Sequence, residues 1–270
     1  MNQWLQAFSG FYNKALDNVF PACFPLTATL VLLGPVAASA QPSPLTDRLV
    51  GDVGAAVYST QPVIRSRASD IKALPYGFFD YGRFFARVDT LGLKTLQLGD
   101  GYVELVGRVS TEGWRADTTA LRGLADRKTP IPVGIGTFQS TPYGAFILNA
   151  FIDANKSNGA LLEAIYAAEF NVGHVAFYPQ LGVEHRSAKY SNYIYGVSVA
   201  ESIASGYAAY RAGASTAPLL GLGVDVPLGE FWVVNMQLRR RWLDSSVYNS
   251  PLVSRKTQDT GLIALSYRFK

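Results

Sequence analysis

The residues best suited to chemistry in this sequence are His185 and Ser187, which are two positions apart. On a β-strand, side chains at i and i+2 point to the same face, so an imidazole and a hydroxyl would lie side by side. A histidine next to a serine can activate the hydroxyl as a nucleophile, as in lipid hydrolases. Glu184 points to the opposite face, which leaves Glu163 or Glu201 to orient the histidine. The alternative, a polar strand end at an interface, is favoured because the sequence places neither acid beside the pair.

Other kinds of site have little support. The two histidines, His174 and His185, are not at metal-ligand spacing, and the single cysteine, Cys23, lies in the first 40 residues. Gly221 and Gly223 belong to an alternating strand and do not open a helix, as a phosphate-binding loop would. The formal charge of +4 is scattered, without the basic face that nucleic acid requires. We therefore predict no catalytic, cofactor-binding or metal-binding residues and no nucleic-acid partner.

The elements that carry these residues have the period of β-strands. Apolar residues alternate with small or polar ones through Leu220–Leu228, Phe231–Trp242 and Thr260–Phe269. A period of two over three successive segments predicts strands and not helices. Between the strands, the charged segment 113–128 is predicted to be a loop with one helical turn. Further strands are predicted at Leu49–Tyr58, Tyr76–Val88, Lys94–Val109, Ile131–Phe138, Gly144–Asp153, Ala160–Phe170, Val175–His185 and Tyr193–Ala200.

Trp232 and Trp242 indicate that this sheet crosses a membrane. They lie on the same face of one strand, ten residues apart, with aliphatic side chains between them. Ten residues at about 3.4 Å each, tilted by about 40°, cover roughly 26 Å, the height of a membrane barrel's apolar band between its aromatic girdles. Arg240 shares this face next to Trp242, where its guanidinium can extend to the headgroups. A soluble β-sandwich with tryptophans at its strand ends is the alternative.

Composition and strand count fit a closed barrel. Charged residues are only 16% of the 270 residues, while the chain has 15 Tyr, 15 Phe and 25 Gly. After residue 40 there is no apolar run long enough for a membrane-spanning helix. The pattern contains eleven strands. Since single-chain barrels have even numbers, we predict about twelve, with ten as the alternative and the missing strand within 76–109 or 201–217. The fold class is all-β, an antiparallel up-and-down transmembrane barrel.

Residues 1–40 are predicted to be a cleaved signal peptide that precedes the barrel domain at 41–270. Lys14 comes before the apolar segment Leu26–Leu33, and Ala-Ser-Ala at 38–40 supplies the small residues of a cleavage site. The cysteine precedes the apolar segment instead of following it, so lipidation is not expected.

The side of the strands that faces the lumen carries charged residues. They are expected to be Glu163, Glu169, Asp225, Arg239 and Arg241. These charges could line a pore or pair with each other in a plugged lumen, and small barrels are normally filled by their own side chains, which favours the plug. The tyrosine-rich segment 190–195 is predicted to be an interfacial girdle, with a sugar-binding strip as the alternative.

Several segments together resemble the MltA-interacting protein/outer-membrane protein V (MipA/OmpV) family. They are Tyr81–Ala86, Leu121–Asp126, Tyr190–Val197 with Glu201, Tyr210–Gly213, Asp244–Val253 and Leu265–Phe269. The segments occur in the family's order and extend over essentially the whole chain after residue 40. The resemblance implies a Gram-negative outer-membrane protein, exported through the periplasm, that brings a lytic transglycosylase and a penicillin-binding murein synthase together. It implies no catalytic residues.

We therefore predict a non-catalytic barrel, held in outer-membrane lipid, that acts as a scaffold in murein (peptidoglycan) synthesis. The prediction of a scaffolding role rests on the resemblance alone, because no turn of the sequence contains a docking motif. A porin-like or adhesive outer-membrane protein is the alternative from another class. A lipid hydrolase that uses His185 and Ser187 is the less favoured one.

Overall fold

The structure is a computed structural model that describes residues 45–270, and in it the chain forms a closed antiparallel barrel. The strands are β1 (Val50–Thr60), β2 (Asp70–Tyr81), β3 (Phe84–Arg87), β4 (Thr90–Leu98), β5 (Gly101–Arg108), β6 (Pro132–Thr141), β7 (Gly144–Asp153), β8 (Ala160–Ala168), β9 (Phe170–Val172), β10 (Val175–Arg186), β11 (Ser215–Leu228), β12 (Trp232–Trp242) and β13 (Thr257–Phe269). Because β8 and β9 both pair with β10, they occupy one place in the wall, which leaves twelve places. The β1–β13 pair joins the first strand to the last.

The prediction of an antiparallel barrel of twelve strands is confirmed. The missing strand lies within 76–109, one of the two regions where it was expected. There the single strand predicted at Lys94–Val109 is wrong, because Gly99 adopts a φ of 56° and turns the chain between β4 and β5. The predicted signal peptide, residues 1–40, and Cys23 lie outside the described residues.

The strand predicted at Tyr193–Ala200 is also wrong, because this segment belongs to two helices. Helix α1 is Ala188–Tyr195 and helix α2 is Val199–Ser205. Each is preceded by a serine, Ser187 or Ser198, whose side chain accepts a hydrogen bond from the backbone N–H three residues further on. Such caps start helices where the local composition favours strands. The helical turn expected in 113–128 is confirmed as a 3-10 turn at Thr119–Leu121.

The two rims of the barrel differ in the length of their connections. At the rim that holds both ends of the barrel, the terminal rim, the turns have two or three residues: 82–83, 99–100, 142–143, 173–174 and 229–231. The opposite rim carries the long loops 61–69, 109–131, 187–214 and 243–256, which we call the cap. In outer-membrane barrels the short turns face the periplasm and the long loops face the exterior. We therefore place the terminal rim in the periplasm.

The cap has an apolar core of its own that continues into the top of the barrel. Helices α1, α2 and α3 (Ser245–Tyr248) lie in it. Among its most buried side chains are Leu121, Tyr190, Ile194 and Leu252, none more than 2% exposed. A packed core of this kind makes the cap an ordered structure and not a set of independent loops. Within residues 45–270, every helix is too short or too polar to cross a membrane.

The outward face of β12 has the predicted arrangement. Trp232 and Trp242 stand at its two ends and are 49% and 37% exposed. Arg240 lies on the same face and donates hydrogen bonds to Asp259 of β13 at 2.7 and 2.9 Å. This outward ion pair is next to Trp242, at the edge of the apolar band, where charge is tolerated.

Asp52 holds together the seam between the first and last strands. It accepts two hydrogen bonds from Arg268 of β13, at 2.7 and 2.6 Å, and Arg268 also reaches Asp225 of β11 at 2.9 Å. We expect Asp52→Asn to destabilise the barrel by about 2 kcal/mol, because a charged pair is broken while Arg268 keeps some solvent and one carboxylate. Urea titration of the refolded barrel, followed by gel mobility without boiling, measures this. An unchanged midpoint would show that the seam does not need the pair.

Candidate functional site

A concentration of buried charge lies in the lumen directly below the cap. Glu184 and Arg186 project from β10, Arg241 from β12, and Glu112 from cap loop 109–131. We call these four residues the mouth cluster. Glu184 accepts hydrogen bonds from Arg186, at 2.8 Å, and from Arg241. Glu112 accepts from Arg186 and, at 3.4 Å, from Arg241. Two carboxylates and two guanidiniums therefore compensate each other, and none of the four side chains is more than 20% exposed.

Glu112 crosses the barrel to reach this cluster. Its loop begins at the end of β5, which lies opposite β12 in the ring of twelve places. The Tyr190 hydroxyl of α1 also donates to Glu112, at 2.9 Å. Burial would raise the pKa of Glu112, but the positive charges of Arg186 and Arg241 outweigh it and hold the pKa below its ordinary value. The carboxylate therefore stays ionised and ties the cap to the barrel wall.

Other inward-facing charges are also paired. Glu163 is 6% exposed and accepts a hydrogen bond from Arg108 of β5 at 2.5 Å. Arg239 donates to the side-chain oxygen of Gln180 at 3.2 Å. Inward placement is thus confirmed for four of the predicted residues: Glu163, Asp225, Arg239 and Arg241. These contacts across the lumen agree with a lumen filled by its own side chains.

Glu169 keeps the predicted inward register, at the open end of the lumen. It lies between β8 and β9 and is exposed near the terminal rim. Its N–H donates to the carbonyl of Tyr143 at 2.9 Å. The register is the same on both sides of this residue, since Gln180 pairs with Ala167 and Phe177 with Phe170, so Glu169 stays opposite Tyr178 in the inward-facing row.

His185 and Ser187 have separate structural contacts. His185 is exposed on the outward face of β10, where its Nδ1 is 2.8 Å from the Thr216 hydroxyl. Ser187 lies beyond the end of β10, and its hydroxyl accepts hydrogen bonds from the N–H groups of Ala160, at 2.9 Å, and Tyr190, at 3.4 Å. The i, i+2 argument fails because Ser187 caps a helix and is not part of the strand. The acids proposed to orient the histidine are engaged elsewhere, Glu163 with Arg108 and Glu201 with Arg127.

The tyrosine-rich segment 190–195 is neither a girdle nor a sugar-binding strip. It lies in α1, and Tyr190 and Tyr195 are 1% and 2% exposed. Tyr195 accepts a hydrogen bond from Arg186 at 3.2 Å, so the tyrosines support the mouth cluster from above. Within residues 45–270, no three His, Cys, Asp or Glu side chains are grouped closely enough to hold a metal ion.

Glu201 joins two loops of the cap. Its carboxylate accepts hydrogen bonds from Ser198 at the start of α2, from the N–H of Ala125 and from Arg127, all at 2.9 to 3.0 Å. Burial acts to raise the pKa of Glu201, but these hydrogen bonds outweigh it and lower the pKa from its usual 4.5 to about 2. Because its pKa is lowered, the ionised carboxylate of Glu201 stabilises the folded cap. This contribution is lost as the pH falls from 4.5 toward 2.

We expect Glu201→Gln to loosen α2 and segment 122–128 without opening the barrel. The variant keeps Ser198 as the helix cap but loses the ion pair with Arg127, at a cost of about 1 kcal/mol, so backbone hydrogen exchange in these segments should become about fivefold faster. The variant should also lose the wild type's acceleration of exchange below pH 4.5. Hydrogen exchange read by mass spectrometry tests both effects. The control is Glu230→Gln, at a terminal-rim acid that is 68% exposed. Equal exchange in all three proteins would contradict the role of Glu201.

Sequence reasoning missed Glu112 and Arg186, the residues that connect the cap to the lumen. They are 74 positions apart, and neither belongs to a short motif. The available signal was the length of loop 109–131, since a long connection in a compact domain commonly has a function.

The chain is similar in sequence to known proteins. The model of the family described as MltA-interacting protein MipA matches residues 53–269. The chain is 26% identical over 226 residues to "Putative outer membrane protein YiaT" of Escherichia coli (strain K12), over 80% of this chain and 90% of that one. It is 30% identical over 151 residues to the MltA-interacting protein of the same strain, over 56% of this chain and 60% of that one. Among solved structures, the outer membrane protein OprG of Pseudomonas aeruginosa aligns with 82% of this chain and 95% of its own, with 13% identity and a TM-score of 0.24.

The family match begins inside β1 and ends at the last residue of β13, so it includes nearly the whole barrel and all of its cap. Relatives named as outer-membrane proteins and a closed antiparallel barrel place this protein in the outer membrane. The predicted family resemblance is confirmed. The chain belongs to the MltA-interacting protein MipA family.

Proposed function

We propose that this protein is a non-catalytic scaffold that holds a lytic transglycosylase and a murein synthase together at the outer membrane. The observation that carries the proposal is membership of a family described as MltA-interacting, by a match to nearly the whole barrel. The use of Ser187 as a helix cap and the exposed position of His185 agree with a role without catalysis.

The terminal rim is the surface that we assign to the partners. Murein enzymes act in the periplasm, and the short turns of outer-membrane barrels face that side. Side chains at this rim include the strongly exposed Tyr143, at 76%, and Phe84, at 60%. Exposed aromatic residues are the type enriched at protein interfaces. A barrel fixed in the membrane would present this ring of turns at a constant height above the murein layer.

The test is reconstitution of the barrel in vesicles with a lytic transglycosylase of the MltA type and a bifunctional penicillin-binding murein synthase. We expect the synthase to be recovered with tagged transglycosylase only when the barrel is present. Tyr143→Ser should lower this recovery. Its matched control is Ile203→Ser, an 83% exposed apolar side chain on the cap. Recovery that is independent of the barrel would overturn the scaffold. A loss with Ile203→Ser and none with Tyr143→Ser would overturn the assignment of the surface.

A further inference from the structure

Charge is distributed unevenly between the two rims of the barrel. The cap and the turn 154–159, which lies at the same rim, carry eleven Lys or Arg and five Asp or Glu. The five turns of the terminal rim carry one Lys or Arg and two Asp or Glu. The exterior side of the barrel therefore has a surplus of six positive charges, whereas the turns on the periplasmic side have none.

The acids of the cap are already engaged and leave this surplus uncompensated. Glu112, Asp117 and Glu201 are in ion pairs. Asp126 and Asp244 each accept a hydrogen bond from a backbone N–H at 2.8 Å. The anions that compensate the remaining cations must therefore come from outside the chain, and a surface with an excess of one charge attracts the opposite one.

Three of the cations lie within four residues of a strand end at this rim. Lys128 precedes β6 by four residues, Lys156 follows β7 by three, and Lys189 follows β10 by three. All three side chains are exposed. In the part of the chain that the structure describes, none of them belongs to an ion pair. We call these three residues the lysine triad.

Contacts between their segments bring the three lysines to the same region of the rim. Asn155 donates a hydrogen bond to the carbonyl of Thr129 at 2.9 Å, which joins the chain neighbours of the first two lysines. The Tyr193 hydroxyl donates to the carbonyl of Lys128 at 3.3 Å. Lys189 lies one helical turn before Tyr193, on the same face of α1. Three segments that are distant in sequence thus present their ammonium groups together.

Asp153, at the end of β7, is the acid next to the turn that holds Lys156. It is 1% exposed, and its oxygens accept hydrogen bonds from the N–H groups of Ile131, Asn155 and Ser157 and from the Ser157 hydroxyl, at 2.6 to 3.0 Å. Four donors use the full accepting capacity of one carboxylate. Asp153 therefore shapes the turn, and the lysine triad remains open to an external anion.

Below the lysine triad, the wall presents apolar side chains to the bilayer. Ile131 comes directly before β6, and Val133, Ile152 and Leu162 lie on the outward faces of β6, β7 and β8, where all four side chains are exposed. Val133 and Ile152 are register partners, so they form one patch. A cationic site above an apolar patch matches the two parts of a lipid, a charged headgroup and its acyl chains. A soluble anion would use only the upper part.

We propose that the lysine triad binds the phosphate group of an anionic lipid in the outer leaflet, whose acyl chains lie on the apolar wall below. Lysine binds phosphate as a point charge, and its flexible stem lets the ammonium group follow the headgroup. A phosphate monoester carries up to two negative charges, so it matches three ammonium groups better than a zwitterionic headgroup does. This role is independent of the recruitment of murein enzymes at the terminal rim, because the two surfaces lie at opposite ends of the barrel.

Native mass spectrometry of the refolded barrel counts the lipids that stay bound. The protein is held in micelles of an uncharged detergent with equal amounts of phosphatidic acid and phosphatidylcholine that have the same acyl chains. We expect the wild type to retain phosphatidic acid roughly tenfold more often than phosphatidylcholine, since several lysines add their attraction to one phosphate. Lys128→Gln/Lys156→Gln/Lys189→Gln should retain the two lipids alike. Heat modifiability on a gel reports that this variant is folded.

The matched control is Arg115→Gln/Arg122→Gln/Lys256→Gln, which removes the same charge from exposed positions of the cap outside the lysine triad. It should keep the preference of the wild type. A preference that survives in the triad variant would overturn the site. An equal loss in the control would also overturn it, because the overall charge of the cap and not the triad would then hold the lipid. Displacement of the retained lipid by millimolar glycerol 3-phosphate would overturn the lipid as the ligand in favour of a soluble phosphate.

Discussion

Replacement of Glu112 by alanine should release the cap while the barrel remains closed. In the wild type this carboxylate connects loop 109–131 to Arg186 and Arg241 on the far side of the lumen. Its removal leaves two guanidiniums with Glu184 as their remaining carboxylate in the cluster. Breaking a buried ion pair from one side costs about 3 kcal/mol or more, because the other charge is left uncompensated.

The barrel should survive this loss because the strand pairing does not pass through Glu112. A cost of about 3 kcal/mol corresponds to roughly a 100-fold larger population of the open cap. Loop 109–131 contains four sites for trypsin: Arg115, Arg122, Arg127 and Lys128. When opening is fast, cleavage follows the population of the open form, so the loop should be cut roughly 100-fold faster. The mobility of the unboiled barrel on a gel should be unchanged at early times.

Asp117→Ala is the matched control, since it removes the same charge from the same loop. Asp117 is 59% exposed and 3.6 Å from Arg67, and surface pairs of this kind contribute about 1 kcal/mol or less. Cleavage of this variant should resemble that of the wild type. Should both variants be cut at the same rate, the mouth cluster would not be what fastens the cap. In the wild type the lowered pKa of Glu112 predicts that the cap stays fastened at neutral pH and loosens only in acid.

The barrel wall could be predicted because membrane strands face two different solvents. One face of each strand meets lipid and the other the lumen, so hydrophobicity alternates with the period of the backbone. The strand predicted at Gly144–Asp153 has the observed bounds, and Trp232 and Trp242 stand at the ends of their strand as expected. β3 was not predicted because four residues are too few to show the alternation of apolar and polar side chains.

The cap could not be predicted by the same argument. Its segments have no periodic relation to a membrane, and the aromatic residues of 190–195 favour a strand by composition. The helices there depend on Ser187 and Ser198 as caps and on burial of Tyr190 against the rest of the cap. Such burial depends on contacts between distant loops. For Glu112 the partner is Arg186, on the other side of the barrel. A single sequence holds no local signal for contacts of this kind.

The outward face of β13 provides the second large effect. Ile263 is 45% exposed and lies beside Met236, near the middle of β12 and between its two terminal tryptophans. If this face is in the bilayer, Ile263→Arg places a guanidinium close to the membrane midplane. A charge at that depth costs about 2–4 kcal/mol in a membrane barrel. The midpoint of urea unfolding in phosphatidylcholine vesicles should fall accordingly.

Thr257→Arg makes the same change on the same face of the same strand, at a different depth. Thr257 pairs with Trp242, at the edge of the apolar band, where an arginine costs about 1 kcal/mol or less. The midpoint of this variant should stay near that of the wild type. If this face of the barrel met water, both arginines would be tolerated alike. The difference between the two midpoints therefore measures whether this face is in contact with lipid. The native ion pair of Arg240 and Asp259 lies beside Trp242, which already indicates that charge is tolerated at this edge of the band.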